Sequence, residues 1–155
     1  KVIDESLDIM IWALQQNDPQ DLLHKENPND LIEALELIKR NDQEFKPQLE
    51  IYKKAKRFHL EDVLEERAKC EVFIAELEHK LASTGFLIGA KAGLIDYALL
   101  PFVRQFSRVH RSWFQQAPYP HLRNWLESHM QSRLYAKAMA KYPLWLEEHQ
   151  DCLMG

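Results

Sequence analysis

Glycine is scarce in this chain, with four among 155 residues. That is too few for the tight turns of a many-stranded β protein. Cysteine is scarcer still. Cys70 and Cys152 share no metal-type spacing and cannot make a disulfide framework. Cys70 falls on the apolar face of a helix, which reads as a buried free thiol in a reducing cytoplasm. Cationic excess is also missing: 20 Lys and Arg stand against 24 Asp and Glu. A formal charge of −4 argues against a nucleic-acid binder, which needs clustered cations for phosphate. No apolar run approaches the roughly 20 residues that span a bilayer, so no membrane role is expected. There is no Gly-rich phosphate loop and no Ser-His-Asp order. His121 and His129 stand eight apart with no third ligand at a matching position, so no metal site is expected.

What is present is helical. Stretches 31–57 and 61–82 are rich in Leu, Ala, Glu, Lys and Gln, and the fold class they predict is all-α. Val2 and Ile3 read as the end of a strand. Asp4, Glu5 and Ser6 then offer N-cap or first-turn chemistry to a helix carrying Leu7, Met10, Ile11 and Leu14. A strand end and one helix make no core alone, so the sequence is expected to enter a larger protein partway through.

Asn17-Asp18-Pro19 should end that helix, and a linker with one turn at Leu22-Leu23 should follow. Pro28 suits the start of a helix with Leu31, Ala34, Leu35 and Ile38 inward. Phe45, Leu49 and Tyr52 continue the spacing, with Pro47 starting a second helix or kinking the first. Leu60, Leu64, Cys70, Ile74, Leu77 and Leu81 form a stripe over 60–82, and Ser83-Thr84-Gly85 stops it. The segment LIDYALLPFVRQF is apolar on several faces, as expected of the central helix of a bundle, with a bend near Pro101. Trp113 and Phe114 are expected in a loop. Pro120 opens a helix with Leu122, Trp125, Leu126 and His129 on one face. A short helix over about 132–141 should stop at Tyr142-Pro143.

Three of these pieces resemble the cytosolic glutathione transferase superfamily, particularly its bacterial members. Glu5-Ser6 at a strand-to-helix junction resembles the family's Glu/Gln-Ser pair, which grips the γ-glutamyl end of glutathione. GLIDYALLPFVRQF (93–106) resembles the family's central helix, with Asp96 matching the aspartate of its N-capping box. FLIG (86–89) resembles the Phe-Leu-x-Gly that precedes that helix. Gly93 stands where the family has Ser or Thr, so only the bond from the Asp96 carboxylate to the Gly93 N–H is expected.

The resemblance implies a helical C-terminal bundle at 28–155, a linker at 18–27, and at 1–17 the strand end and last helix of a thioredoxin-like α/β domain. It implies a cytoplasmic glutathione transferase with a part in detoxification, most simply a homodimer. Its substrates would be glutathione and a hydrophobic electrophile or a thiol or disulfide, with no metal. Glu5 and Ser6 would bind glutathione. Tyr52, Arg57, Arg104 and Trp113 are candidates for the electrophile pocket, and Gly93 and Asp96 are structural. The residue that activates glutathione is expected upstream, so 1–155 alone should be inactive. The alternative is a non-catalytic interaction module on the same fold.

Overall fold

A computed structural model describes residues 2–141. The helices are α1 (Ser6–Gln16), α2 (Pro28–Arg40), α3 (Lys46–Arg57), α4 (Val63–Thr84), α5 (Leu94–Val109), α6 (Arg111–Gln116), α7 (Pro120–Met130) and α8 (Arg133–Ala138). The described residues contain no strand, and none of their helices is long and apolar enough to cross a membrane. Val2 and Ile3 pair with no strand among the described residues, and a strand is recognised only in a paired ladder. Cys152 and Tyr142-Pro143 lie outside the described residues.

Pro47 both breaks and continues a helix. It has no N–H to donate to residue 43, and its ring would crowd that carbonyl. The backbone widens into a π-helical turn over Asn41–Phe45, and the Lys46 N–H donates to the Asn41 carbonyl. Helices α2 and α3 thus run on through this turn as one continuous unit, with Phe45 and Leu49 buried.

Helix α5 is the centre. Ile95, Leu99, Val103 and Phe106 are at most 1% exposed, and the helix runs unbroken through Pro101. Packed around it are α2, α3, α6 and α7, while α4 lies against α3 and α7. In α4, Cys70, Ile74, Leu77 and Leu81 are buried as the spacing predicts, joined by Phe73. Leu60 and Leu64 depart from that expectation. The helix begins only at Val63, and both leucines lie on the exposed side of its start. Gly85 ends α4 at φ 79°, a left-handed conformation that costs glycine nothing.

Trp113 and Phe114 are helical, not looped, because α6 is a tight extra turn that tucks both rings under α4 and α5. Arg67 of α4 lies 4.1 Å from the centre of the Trp113 ring, and Phe106 meets the edges of both aromatics. Helix α7 lacks a local side-chain cap. Glu78 of α4 takes that place, accepting from the His121 and Leu122 N–H groups at 3.1 and 2.8 Å.

Candidate functional site

The start of α5 is assembled from three separate stretches of chain. The Asp96 carboxylate, with no exposed surface, accepts from the Gly93 N–H at 2.9 Å and the Leu87 N–H at 3.2 Å. The indole Nε1 of Trp125 donates to it at 2.7 Å. The capping bond expected from sequence is present, but it is one of three. Asp96 ties the 86–93 loop and α7 to the central helix.

The segment 18–27 also serves this junction. Asp18 accepts from the Leu22 and Leu23 N–H groups, and the Leu22 carbonyl accepts from the Leu94 N–H at 2.8 Å. Buried His24 meets Asp30 at 2.9 Å through Nδ1. A side chain at Gly93 would put its Cβ 3.0 Å from His24 Nε2. This accounts for glycine in place of Ser or Thr. The imidazole fills the space that a capping hydroxyl would need, and the Leu22 carbonyl satisfies a helix N–H instead. We expect Gly93→Ser to destabilise the domain by about 1 kcal/mol, because crowding outweighs the few tenths gained from a better cap. In a His24→Ala background the same change should be neutral or stabilising. A double-mutant cycle in urea measures this coupling, and additive effects would rule it out.

Helix α1 lies on the outside of this junction. Leu7, Met10, Ile11 and Leu14 pack against the core, yet none of its residues is fully buried. Ile9 and Trp12 are 46% and 50% exposed. Glu5 is the N-cap residue but makes no side-chain cap bond, and Ser6 is the first helical residue. Both side chains are exposed. Glu5 opens on a groove of about 520 Å³ that it shares with Asp4, Asp8 and Trp12. The N–H groups of Ser6, Leu7 and Asp8 precede the first intrahelical bond, which Ile9 donates to the Glu5 carbonyl. A helix N-terminus and a hydroxyl beside carboxylates suit a ligand bearing both a carboxylate and an ammonium group.

The four residues considered for the electrophile pocket do not converge. Tyr52 is wholly enclosed, its ring 6.0 Å from that of Phe106, and burial pushes its phenol up to about 12. Trp113 packs in the same aromatic cluster. Arg57 is exposed at the end of α3, over Phe58. Arg104 lines a second cleft, of about 480 Å³, between α1, α5 and α8. Met10, Leu14, Tyr97, Leu100, His129 and Tyr135 form much of its wall. Burial lowers the His129 pKa and raises that of Tyr97, favouring the neutral form of each. Sequence spacing had placed His129 on an apolar face but gave no sign of the cleft, whose walls come from helices distant in the chain.

Cys70 is 1% exposed, and burial, with Glu66 and Glu71 nearby, pushes its thiol up to about 12. It is a core residue and not a nucleophile. Among the described residues no cluster of His, Cys, Asp or Glu could hold a metal.

Neither curated proteins nor solved structures give a significant match. Residues 60–128, from α4 through most of α7, match the family model described as "Glutathione S-transferase, C-terminal domain". The all-helical architecture around α5 agrees with that match. Over these helices the chain is similar to the glutathione S-transferase C-terminal domain family.

Proposed function

We propose that this chain supplies the helical half of a cytoplasmic, homodimeric glutathione transferase, whose thiolate attacks a hydrophobic electrophile or exchanges with a thiol or disulfide. The family match over residues 60–128 carries the reading. In this proposal residues 28–155 are the helical domain, 18–27 the joint, and 1–17 the end of a thioredoxin-like domain that activates glutathione. The exposed Ile9 and Trp12 support that division, since apolar side chains on the outer face of α1 suit a further packing partner. Ser6 and the first N–H groups of α1 hold the γ-glutamyl carboxylate, and Glu5 takes the ammonium. The cleft beside Arg104 is the surface this half offers to the co-substrate.

Ser6→Ala in the complete protein should weaken glutathione binding by about 1–3 kcal/mol, through loss of a hydrogen bond to a charged group. Glu5→Gln should weaken glutathione but not an analogue lacking the amine. Residues 1–155 alone should bind little glutathione and show no turnover. Calorimetry on both forms checks this. Unchanged affinity in both variants would remove Glu5 and Ser6 from the site, and an intact protein with no glutathione binding would favour the docking alternative.

A further inference from the structure

The corner where α5, α6 and α7 meet carries three arginines along one groove. Arg108 lies in the last turn of α5, Arg111 belongs to α6 and Arg123 to α7, and all three line an open space of about 560 Å³. Glu127 is the one carboxylate in that lining, in a chain whose formal charge is −4. Arg108 and Arg111 are exposed and form no ion pair with a carboxylate of the described residues. Arg123 and Glu127 stand four apart on α7, the spacing of a helical ion pair, yet they do not pair. The Arg123 Nη1 instead donates to the Phe114 and Ala117 carbonyls, while Glu127 accepts from the Gln131 amide at 3.0 Å. Those carbonyls hold the guanidinium in place without cancelling its charge. Its Nε and Nη2 have no acceptor among the described residues. A single exposed arginine is ordinary solvated surface. Three unneutralised guanidiniums along one groove repel one another, and a bound anion relieves that repulsion while gaining hydrogen bonds from charged donors.

We propose that this groove binds a small phosphate monoester, its phosphoryl oxygens on Arg108, Arg111 and Arg123 and its organic body toward Leu126 and Met130. Three arginines less one glutamate leave a formal lining charge of +2. That matches the dianion a phosphate monoester approaches near neutral pH, whereas a carboxylate or a phosphate diester leaves part of it unmatched. The planar guanidinium fork also fits phosphate oxygens two at a time. The volume lies within the roughly 300–1,000 Å³ of small-molecule sites. The groove shares no lining residue with the cleft at Arg104 or the groove at Glu5, so the proposal goes beyond the transferase reading and does not depend on it.

Calorimetry on the complete protein at about 0.15 M salt compares phenyl phosphate, methyl phenyl phosphate and inorganic phosphate. The monoester should bind about tenfold tighter than the diester, and tighter than inorganic phosphate, which makes no contact with Leu126 and Met130. Arg108→Gln and Arg111→Gln should each weaken phenyl phosphate about tenfold, and Arg111→Lys should keep part of the affinity. Both side chains are exposed, so the melting temperature should stay unchanged in these variants. Glu127→Gln removes the competing anion and should tighten binding a few-fold, on the order expected of one nearby charge. Lys39→Gln, an exposed cation lost from α2 outside the groove, should leave affinity within about twofold. Four results would each overturn the proposal: no saturable binding of phenyl phosphate, equal affinity for it and either comparison ligand, unchanged affinity in the Arg108→Gln/Arg111→Gln double variant, or a loss in Lys39→Gln as large as in the groove variants.

Discussion

Asp96→Ala is expected to destabilise the domain by about 4 kcal/mol, well beyond the usual cost of losing a helix cap. A cap alone accounts for about 1 kcal/mol. Here the carboxylate also satisfies the Leu87 N–H and the Trp125 indole, both brought to it from outside the helix. Removing it leaves three donors in a place without exposed surface, each costing roughly 1–3 kcal/mol when unpaired, offset in part by local relaxation. Trp125→Phe removes only one partner and should cost about 1–2 kcal/mol. Urea unfolding followed by tryptophan fluorescence measures both. A loss below about 2 kcal/mol for Asp96→Ala would show that water or rearranged backbone takes over those donors. In the complete protein of the proposed function, glutathione affinity should persist wherever the variant folds, because the carboxylate contacts the loop before α5 and α7 and not the groove at Glu5.

Phe106→Ala should cost a similar amount, about 3–5 kcal/mol. Its ring is 1% exposed and makes edge or tilted contacts with Phe45, Tyr52, Trp113 and Phe114, so it links the α2–α3 unit to α5 and α6. Truncation opens a cavity that rigid aromatic neighbours fill poorly, and each lost edge-to-face pair adds to the transfer term. Phe106→Leu should recover about half of the loss. Denaturant titration with matched slopes tests this, and a cost near 1 kcal/mol would mean that Trp113 collapses into the gap.

Local chemistry explains how much of the fold could be read from residue order. Pro28 and Pro120 open helices, Gly85 closes one, and the Ile95–Phe106 spacing marks a helix enclosed on nearly every side. Such signals act within a turn or two of chain, so the sequence carries them in full. The reverse bond from Asp96 to the Gly93 N–H belongs to the same class, since its partners are three residues apart.

Distance in sequence hid the rest. Trp113 and Phe114 have too few neighbours of helical spacing to announce α6, and their place is set by Phe106 and Arg67. Leu60 and Leu64 carry the right residue type, but packing left that end of the stripe facing outward. Tyr52 has the spacing of a core residue and the chemistry of a site residue, and only burial against Phe106 decides between them. The Gly93 departure is the clearest case. By itself it reads as a weakened cap, whereas the folded chain brings His24, 69 positions earlier, into the space of the absent side chain. The sequence alone determined a helical bundle around α5 and the helix start at Glu5-Ser6. Only the tertiary structure decided that Arg104 lines a largely apolar cleft with its Nε buried and unpaired among the described residues, because burial and pairing are properties of neighbours that sequence order does not place together.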